Sequence, residues 1–437
     1  MKITILTVGS RGDVQPYVAL GLGLQSAGHD VSLATHACWQ SLVRAHGLGY
    51  RPVAGDPRSI LEGNAGQMWL SSDRSPAGFL RGFMEVAQPL MAKMSDDYWA
   101  ACQDAGLILY PILAALPAAA IAEKLKVPAL PAYLQHVHTT AMYPSAMMPP
   151  MPLLGAVYNR LTYSLGGEVF WRAMRPAMNK WRQERLGLPA LPRRSQFPAW
   201  DRARLPCFYG FSRVVVPRPP EWGDHVHITG YWFVRTPVDS TVAAPGGQGG
   251  RADSRLVDFL ASGPPPVFVG FGSMTGRDPE QVAGLVVEAL ARSRRRGLLL
   301  TGWGGLRPGD LPDDVLAIDA APHDWLFPQV AAVVHHGGAG TTAAGLAAGK
   351  PSVVVPFFAD QHFWAWRVAV LGAGPQPVPR RELTARRLAE AISEATTNPS
   401  ITGRAAAIGS MIRSEDGVGT VAALLESYSR TAHWGGQ

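Results

Sequence analysis

An apolar strand, a glycine-containing turn and a helix follow one another in two separate parts of this chain, and this order largely decides what it can fold into. Residues 3–8 form an unbroken apolar and β-branched run, as expected of a parallel strand that is buried on both faces. Residues 9–12 then predict a turn, residues 14–27 a helix and residues 30–35 a second strand. This succession predicts a βαβ unit and therefore a parallel sheet.

The same order returns after Pro266. The predicted strands lie at 267–271, 297–301, 331–335 and 352–355. The predicted helices lie at 279–295, from the glycine-rich turn after residue 335 to about 348, and at 361–371. The second part of the chain is therefore predicted to be another α/β domain, and ligands of such open sheets usually bind at the carboxyl ends of the strands.

Residues 236–254 separate these two parts and differ from both in composition. They consist mainly of glycine, alanine, proline and small polar residues, with almost nothing to bury, which predicts a flexible surface linker or loop. We expect a first domain over 1–217, a linker over 218–255 and a second domain from residue 256. Two such domains are expected to leave a ligand cleft between their sheets.

The composition places the chain among ordinary globular proteins. Of its 437 residues, 47% are hydrophobic and 17% charged, which excludes a disordered chain and suggests two or three domains. The net charge is +7 and the pI about 9.4. Because the basic residues are scattered, they predict solvated helix faces rather than a stripe that binds nucleic acid. The mild positive field suits an anionic ligand such as a nucleotide diphosphate.

Cysteine usage and apolar runs bear on the compartment. The cysteines, Cys38, Cys102 and Cys207, form neither a metal-binding spacing nor a disulfide framework, which fits a reducing cytoplasm. The N-terminus is interpreted as a buried strand rather than a signal peptide. The most apolar stretch, 106–121, contains two prolines and is shorter than the roughly 18–20 residues of a membrane-spanning helix. We expect no transmembrane segment and at most peripheral membrane contact.

The stretch HHGGAGTT at residues 335–342 follows a predicted strand and opens a predicted helix. Small residues there let backbone N–H groups approach an anion, and the helix N-terminus adds its positive end. The imidazole of His335, which can carry a positive charge, and the hydroxyls of Thr341 and Thr342 could add further contacts to a phosphate. Close packing of strand and helix would explain the glycines without any ligand. No Asp-x-Asp motif lies nearby, so no metal is predicted at this site.

Two carboxylates also follow predicted strand ends. Asp360 and Gln361 come after the strand at 352–355, and together they can accept and donate hydrogen bonds to neighbouring sugar hydroxyls. Taken alone, this pair is better explained by capping of the next helix. Asp13 ends the turn after the first strand, where it can either cap the following helix or act as a general base.

The segment 142–152 (MYPSAMMPPMP) predicts neither a helix nor a strand. Its methionines and prolines suit an adaptable wall around an apolar ligand, although an irregular loop that covers the core explains it equally well. Met142 and Met147 are therefore candidate acceptor contacts. His136 and His138, just before them, are further candidates, for which a structural role is at least as plausible.

With these motifs in place, the chain resembles the nucleotide-sugar-dependent glycosyltransferases of family 1, and within them the branch of sterol glucosyltransferases and bacterial antibiotic glycosyltransferases. The resemblance spans nearly the whole chain and rests on two blocks, 9–21 (GSRGDVQPYVALG) and 322–364. It implies the GT-B fold, an α/β architecture of two facing Rossmann-like domains, with the acceptor in the first and the donor in the second. It also implies that the last helix, 417–428, crosses back onto the first domain, which divides the rest of the chain into 256–412 and 413–437.

The resemblance also implies roles for single residues. Asp13 occupies the place of the family's catalytic base, where plant members have a histidine. Asp360 and Gln361 match the pair that holds the sugar hydroxyls, and His323 lies where the family binds the edge of the base. The remaining matches are expected to contact the donor, chiefly at its diphosphate: Ser10, Arg11, Gly12, Ser273, His335, Gly337, Gly338, Ala339, Gly340 and Thr341.

Two positions depart from the plant pattern. Ala320 stands where a tryptophan stacks on the base, a contact that Trp303 or Trp325 could replace. Ala343 stands where a glutamate binds the ribose hydroxyls. These departures bear on which base the donor carries rather than on the type of reaction.

The resemblance implies an inverting, metal-independent hexosyltransferase that needs no cofactor. It would move a hexose, glucose first, from a UDP-sugar to a hydroxyl of a lipophilic small molecule such as a sterol, a polyketide or a macrolide. A dTDP-deoxysugar is the alternative donor. A nucleotide-sugar epimerase, which can share the two-domain fold, would need no acceptor pocket, and a catalytically inactive binding protein would not need Asp13.

Overall fold

Two parallel β-sheets organise the chain, each within its own unit. The computed structural model describes residues 1–57, 90–234, 254–272, 279–302 and 306–431. Unit 1 combines Met1–Val234 with Glu415–Gln437, and unit 2 is Arg235–Ser414. The predicted fold class, two α/β domains with parallel sheets, is confirmed.

Among the described residues, seven strands form the sheet of unit 1. They are β1 (Lys2–Leu6), β2 (Asp30–His36), β3 (Gly49–Val53), β4 (Leu107–Tyr110), β5 (Ala129–Tyr133), β6 (Cys207–Tyr209) and β7 (Val226–Ile228). All are parallel, and they lie in the order β3-β2-β1-β4-β5-β6-β7. β1 has neighbours on both sides, which explains why residues 3–6 are fully buried. Since the strands are parallel, their carboxyl ends share one edge of the sheet.

Helices connect the strands of unit 1. They are α1 (Arg11–Ser26), α2 (Gln40–Ala45), α3 (90–101), α4 (Ala115–Leu125), α5 (Gly155–Trp181) and α6 (Phe197–Arg202). α1 begins three residues before the predicted start at Val14, because Ser10 and Asp13 form a capping box that satisfies the first backbone N–H groups.

α5 has no counterpart among the predicted helices. Its buried face carries Asn159 and Thr162 beside aromatic residues, so the apolar period of the sequence is weak. The segment before it is irregular, as predicted, up to the short turn at Pro152–Leu154. None of the helices described in either unit combines the length and the apolar composition needed to cross a bilayer.

The sheet of unit 2 has five strands in the described part of the chain. They are β8 (Val267–Gly270), β9 (Gly297–Leu300), β10 (Val315–Ile318), β11 (Ala332–His335) and β12 (Ser352–Val354). The strands are parallel in the order β10-β9-β8-β11-β12. β11 lies between β8 and β12 and is buried throughout. Four of these strands agree with the predicted ones, and β10 is the addition.

The helices of unit 2 enclose an aliphatic core. They are α7 (Ser254–Ala261), α8 (Pro279–Ser293), α9 (His323–Leu326), α10 (Ala339–Ala347), α11 (Gln361–Val370), α12 (Ala385–Thr397) and α13 (Pro399–Arg413). Val286 of α8 and Ile392 of α12 pack with Val269 and Val334 of the sheet in one cluster. This burial provides the main stabilisation of the unit.

After α13 the chain returns to unit 1. Helix α14 (Gly417–Thr431) packs on α1, where Val418 comes so close to Gly23 that a Cβ atom would not fit. Tyr428 Oη lies 2.9 Å from His227 Nε2. Residues 415–431 are thus part of unit 1.

The predicted domain limits need one correction. β7 adds an edge strand within the predicted linker, and unit 1 runs to Val234. Residues 218–234 therefore belong to unit 1. The glycine-rich remainder of the predicted linker, 235–253, lies outside the described residues.

Candidate functional site

The turn after β1 holds the carboxylate of Asp13 in a fixed position. Ser10 is the N-cap of α1, and both its backbone N–H and its hydroxyl donate to Asp13 Oδ2 at 2.8 Å. Thr7 Oγ1 donates to the backbone carbonyl of Asp13, also at 2.8 Å. Gly9 has a φ of +122°, and a Cβ atom there would lie 2.6 Å from Asp13 Oδ2. Glycine therefore lets the backbone pass this close to the carboxylate.

The second carboxylate oxygen of Asp13, Oδ1, is not used by the two hydrogen bonds from Ser10. Asp13 is half-buried, and Oδ1 makes no hydrogen bond to any described residue. Burial raises the pKa of Asp13 above its ordinary value, and the two bonds from Ser10 oppose that shift. A raised pKa makes the carboxylate a stronger proton acceptor. Both roles suggested by the sequence fit: Oδ2 completes the capping box, and Oδ1 stays available.

The other predicted donor contacts at this turn differ in their availability. The hydroxyl of Ser10 is committed to Asp13, and Arg11 Nε donates to Gln15 Oε1 at 2.9 Å. Gly12 is exposed. Contact between the donor and these residues stays a prediction.

The glycine-rich turn after β11 packs tightly within unit 2. Gly337 has a φ of +90°. A Cβ atom there would lie 2.8 Å from Val354 Cγ1 and 3.0 Å from the carbonyl oxygen of Gln361. Close packing of strand and helix therefore explains this glycine without any ligand, which is the alternative to phosphate binding that the sequence left open.

α10 presents its N-terminus directly after this turn. Gly338 is the N-cap, and its carbonyl accepts from both the backbone N–H and the hydroxyl of Thr342 at 2.9 Å. The hydroxyl of Thr342, a candidate phosphate contact, is thus committed to the start of the helix. The N–H groups of Ala339, Gly340 and Thr341 precede the first intrahelical bond, so they point outward and can bind an anion.

The imidazole of His335 is a neutral hydrogen-bond donor rather than a cation. Its Nδ1 accepts from the N–H of Gly337 at 3.0 Å, which leaves the ring proton on Nε2. Burial lowers the pKa of His335 to about 3, with smaller contributions from His336 and His323. The ring of His335 is therefore neutral near pH 7, and its contact with a phosphate stays a prediction. Nε2 is buried without a hydrogen-bond partner among the described residues, and a neutral N–H can still stabilise a phosphate oxygen.

His336 separates two glycine turns of unit 2. A Cβ atom at Gly338 would lie 2.6 Å from His336 Nε2, and one at Gly272 would lie 3.5 Å from its Cε1. Burial lowers the pKa of His336 to about 4. The ring is therefore a neutral spacer between the turns that follow β8 and β11, a role that the paired histidines of the sequence do not indicate.

Three histidines, of which His335 is buried and His138 and His336 are half-buried, are expected to make the fold sensitive to acid. The pKa is about 4 for His138 and His336 and about 3 for His335, lowered in each case first by burial. The folded state keeps these rings neutral, whereas the unfolded chain protonates them near pH 6.5. Their stabilising effect is therefore complete above about pH 6.5 and is lost as the pH falls toward about 4. We expect each ring to cost about 2 kcal/mol of unfolding free energy between about pH 7.5 and pH 5.

Urea unfolding at the two pH values measures this loss. His335→Gln has no titrating ring, so its unfolding free energy is expected to fall by about 2 kcal/mol less than that of the unchanged chain. Comparing the two falls removes any constant effect of the substitution on stability. An equal fall in both proteins would contradict the neutral state of His335.

Asp360 and Gln361 lie at the start of α11. Gln361 Oε1 accepts from the backbone N–H groups of Phe357 and Phe358 at 2.8 and 3.2 Å. Asp360 is the N-cap, but its Oδ2 accepts from the indole of Trp364 at 2.9 Å and caps no backbone N–H. The capping interpretation therefore does not account for Asp360, and its contact with sugar hydroxyls stays a prediction.

Backbone strain marks the same loop. Ala359 has a φ of +53°, in the left-handed region that non-glycine residues rarely adopt. Such strain persists where the surroundings impose it, and it is concentrated at functional sites. The sequence carries no signal for it, because an alanine does not indicate a left-handed turn.

The predicted base-binding residues lie in and near α9. His323 stacks on Phe327, with ring centroids 4.3 Å apart and 14° between the ring planes. Trp325 is exposed on the same short helix, so its ring is accessible to a base. Ser273 and Trp303 lie outside the described residues.

The acceptor candidates of unit 1 divide into buried and exposed residues. His136 is 1% exposed, and its Nε2 donates to the carbonyl oxygen of Pro144 at 2.9 Å. It therefore holds the methionine- and proline-rich segment in place, so His136 has the structural role that the sequence left open beside acceptor contact. Met142 and Met147 are 47% and 53% exposed and stay candidates for acceptor contact.

His138 belongs to a hydrogen-bonded group with Tyr209, Asp201 and His225. Tyr209 Oη accepts from the N–H groups of Val137 and His138 at 2.9 and 3.1 Å, and it lies 2.5 Å from His138 Nδ1. Because both lone pairs of this oxygen are used, its hydrogen points to Nδ1. His138 Nε2 then carries the ring proton, 3.4 Å from Asp201 Oδ1, and His225 Nε2 lies 3.3 Å from the same oxygen.

The same group has the composition of a metal site. Among the residues described, the ligand atoms of His138, Asp201 and His225 lie within 4.8 Å of one another, beside a cavity of about 320 Å³. A metal on His138 Nε2 would require the ring proton on Nδ1, where Tyr209 already donates its own hydrogen. This hydrogen bonding fits a polar wall of the cavity and does not fit a metal ligand.

Two family models match the chain. The glycosyltransferase family 28 N-terminal domain matches residues 3–144, and the erythromycin biosynthesis protein CIII-like C-terminal domain matches residues 305–426. The first match contains the turn of Asp13, and the second contains the turn of His335.

Curated relatives match nearly the whole chain. A sterol 3-beta-glucosyltransferase of Cryptococcus neoformans var. neoformans serotype D is 37% identical over 436 residues, which cover 96% of this chain and 26% of that protein. The sterol 3-beta-glucosyltransferases of Aspergillus clavatus and Yarrowia lipolytica are also 37% identical, over 96% of this chain and 29% and 28% of those proteins. The chain therefore spans between a quarter and a third of the length of these relatives.

Solved structures share the architecture at low sequence identity. CalG4, the calicheamicin glycosyltransferase, has a TM-score of 0.70 at 19% identity, over 99% of both chains. The glycotransferase of kitacinnamycin has a TM-score of 0.68 at 20% identity, over 98% of both. Likeness at these identities shows the fold alone.

The family models, the curated relatives and the shared architecture agree with the resemblance that the two sequence blocks indicate. The family models cover the turns of both Asp13 and His335. The chain belongs to the GT-B glycosyltransferases, in the group that holds sterol glucosyltransferases and antibiotic glycosyltransferases.

Proposed function

We propose that the chain is an inverting, metal-independent glycosyltransferase that moves glucose from UDP-glucose to a hydroxyl of a lipophilic acceptor such as a sterol or a polyketide. The observation that carries the proposal is the carboxylate of Asp13, whose Oδ2 is fixed by Ser10 while Oδ1 stays open. A general base must be held in place and must accept a proton near neutral pH. Burial supports the second requirement by raising the pKa of Asp13.

In the proposed step, Asp13 Oδ1 takes the proton of the acceptor hydroxyl as the acceptor oxygen forms a bond to the anomeric carbon. The bond between that carbon and the diphosphate oxygen breaks, and the nucleoside diphosphate leaves with the electron pair. Attack from the face opposite the leaving group inverts the anomeric configuration. The step needs no further reactant, because the proton ends on Asp13 and the charge on the diphosphate.

Unit 2 is proposed to stabilise the charge of the leaving diphosphate. His335 Nε2–H and the N–H groups of residues 339–341 are preorganised donors at one end of the sheet. Such donors usually supply a large part of the electrostatic stabilisation, so the proposal requires no metal ion. Asp360 and Gln361 would hold the sugar hydroxyls, and His323 the edge of the base.

We propose the donor and the acceptor from what the similar proteins are named for or bind. Glucose and a sterol are proposed because the curated relatives are named sterol 3-beta-glucosyltransferases. A thymidine diphosphate sugar is the second candidate donor, because the structural neighbours SsfS6 and VinC are complexes with that nucleotide. Exposed Met142 and Met147 are proposed to contact the acceptor. We place the reaction in the cytoplasm, since the cysteines are free thiols.

Incubation with UDP-glucose or dTDP-glucose and a panel of sterols and polyketide alcohols tests the proposal. We expect a glucoside, detected by its mass, whose anomeric configuration by NMR is opposite to that of the donor. A chelator such as EDTA should leave the rate unchanged. An isomerised donor in the absence of acceptor would identify an epimerase instead, and no nucleotide release across the panel would contradict the proposal.

A further inference from the structure

Exposed apolar side chains are concentrated in one part of unit 1. Within the described residues, seventeen large apolar side chains are exposed, and nine of them lie between 142 and 169. Five of the nine repeat at i+3 and i+4 spacing along α5 and the residue before it, which places them on one helix face. This apolar stripe, roughly 22 Å long, consists of Leu154, Val157, Leu161, Leu165 and Val169.

The apolar stripe is exposed because the opposite face of α5 already has partners. Asn159 Nδ2 donates to the carbonyl oxygen of Ala141 at 2.7 Å. Farther along, Trp171 Nε1 donates to the carbonyl oxygen of Pro192 at 3.0 Å. Rotation of α5 that buried the stripe would break these bonds. The exposure of Val157, at 71%, is therefore a fixed feature of unit 1.

The segment before α5 extends the apolar surface. Met147, Met151 and Leu153 are exposed there. Tyr158 Oη donates to the carbonyl oxygen of Pro149 at 2.8 Å, which holds this segment against the first turns of the helix. The apolar surface is thus continuous from the segment into the stripe.

Positive charge is concentrated in the same part of the chain. Residues 155–204 contain ten lysines and arginines and three acidic residues. Three of the arginines pair with acidic residues outside this range, Arg182 with Glu123, Arg185 with Asp96 and Arg204 with Asp224, which leaves an excess of four positive charges. Glu168, next to the end of the stripe, lies 2.8 Å from Arg172 and also interacts with Arg194. The negative charge of Glu168 is therefore balanced by two arginines.

We propose that α5 binds the surface of an anionic lipid bilayer, with the apolar stripe in the lipid and exposed basic residues of the same part of the chain at the headgroups. Helices that lie in the membrane interface combine an apolar face with basic residues and bury that face by about 5–10 Å. The stripe alone would also suit an apolar protein surface, but the net charge of the segment favours an anionic one.

This binding goes beyond the proposed function, and one consequence rests on that function. A lipophilic acceptor dissolved in the bilayer would be concentrated at the surface to which unit 1 is bound. Membrane binding itself does not depend on catalysis and can be measured in the absence of both substrates.

Cosedimentation with vesicles tests the proposal. The full chain is mixed with vesicles of equal parts phosphatidylcholine and phosphatidylglycerol, and separately with phosphatidylcholine alone. We expect binding to the mixed vesicles that weakens as salt is added, and much weaker binding to phosphatidylcholine. The triple variant Val157→Ser, Leu161→Gln, Leu165→Gln should bind the mixed vesicles about a hundredfold more weakly, because three side chains no longer enter the lipid.

Val370→Gln is the matched control, because Val370 is exposed to a similar degree on α11 of unit 2. It should bind vesicles like the unchanged chain, and both proteins should keep the unchanged circular dichroism spectrum. Equal binding by the triple variant and the unchanged chain would overturn the proposal, as would no binding to the anionic vesicles.

Two further outcomes would assign the stripe to another occupant and overturn the proposal. One is a dimer in lipid-free solution that the triple variant dissociates. The other is loss of turnover on a water-soluble acceptor without any change in vesicle binding. Failure of glycosyl transfer, by contrast, would refute the proposed function and leave the vesicle result intact.

Discussion

The Asp13→Asn variant is expected to lose turnover by about 10²–10⁴-fold, the usual contribution of a general base, while its affinity for the donor stays nearly unchanged. An asparagine has the shape of the aspartate, and its amide oxygen can still accept the two bonds that Ser10 donates to Oδ2. The turn and the start of α1 should therefore persist. The amide nitrogen at the position of Oδ1 cannot accept a proton. Turnover is measured with saturating substrates, and donor affinity by calorimetry.

Asp104→Asn is the matched control for this substitution. Asp104 is an exposed carboxylate of unit 1 that pairs with Lys2 and Arg51, and such surface pairs contribute at most about 1 kcal/mol. Its turnover should equal that of the unchanged chain. Normal turnover in Asp13→Asn would remove Asp13 from the mechanism, whereas a loss of donor affinity or of thermal stability would indicate damage to the turn.

The pH profile gives a second check on Asp13. Only the deprotonated carboxylate can take the acceptor proton, so turnover should fall as the pH drops through the pKa of Asp13. Because burial raises that pKa, the fall should begin at a higher pH than for an ordinary aspartate. The residual turnover of Asp13→Asn should lack this limb of the profile.

Removing the Nε2 donor of His335 is expected to lower turnover by about 10²–10³-fold, the cost of deleting one preorganised donor to a developing charge. His335→Asn places an amide oxygen near the position of Nδ1, where it can still accept from the N–H of Gly337, but nothing reaches the position of Nε2. His335→Gln places an amide nitrogen near Nε2 and restores a donor there. We therefore expect the asparagine variant to lose the full factor and the glutamine variant to keep much more of the turnover.

Binding of UDP by calorimetry separates this role from a structural one. Donation to the diphosphate predicts weaker UDP binding in His335→Asn than in His335→Gln. Unfolding in urea shows whether either variant has lost stability. Higher turnover in His335→Asn than in His335→Gln would place the important hydrogen bond on Nδ1 and refute the donor role of Nε2.

The strands of both sheets that carry the candidate site were predictable, because each is a short apolar run that is buried on both faces. β1, β8, β11 and β12 agree with their predicted positions within one or two residues. β10 has only two buried residues, whereas β8, β11 and β12 are buried throughout, and no glycine-rich turn marks it. A short run that is buried only at its ends carries too weak an apolar signal to be distinguished from a loop.

α5 shows where local patterns fail. One face of this helix is occupied by polar contacts such as that of Asn159 with Ala141, and another carries the exposed apolar stripe. Apolar residues therefore lie on the exposed face as well as on the buried face, where Trp171 and Met174 accompany Asn159, so the sequence shows no single apolar face from which an amphipathic helix is predicted. The helix is recognised only when its partners are in place.

The sequence by itself determined the order of strands and helices, the two turns that carry Asp13 and His335, and the family, because these depend on residue types at fixed spacing along the chain. The tertiary structure decided the chemical state of the site. Burial raises the pKa of Asp13 and lowers that of His335, and the N–H of Gly337 selects the tautomer of the imidazole. These properties depend on which atoms surround a group in space, and packing brings those atoms together from separate parts of the chain.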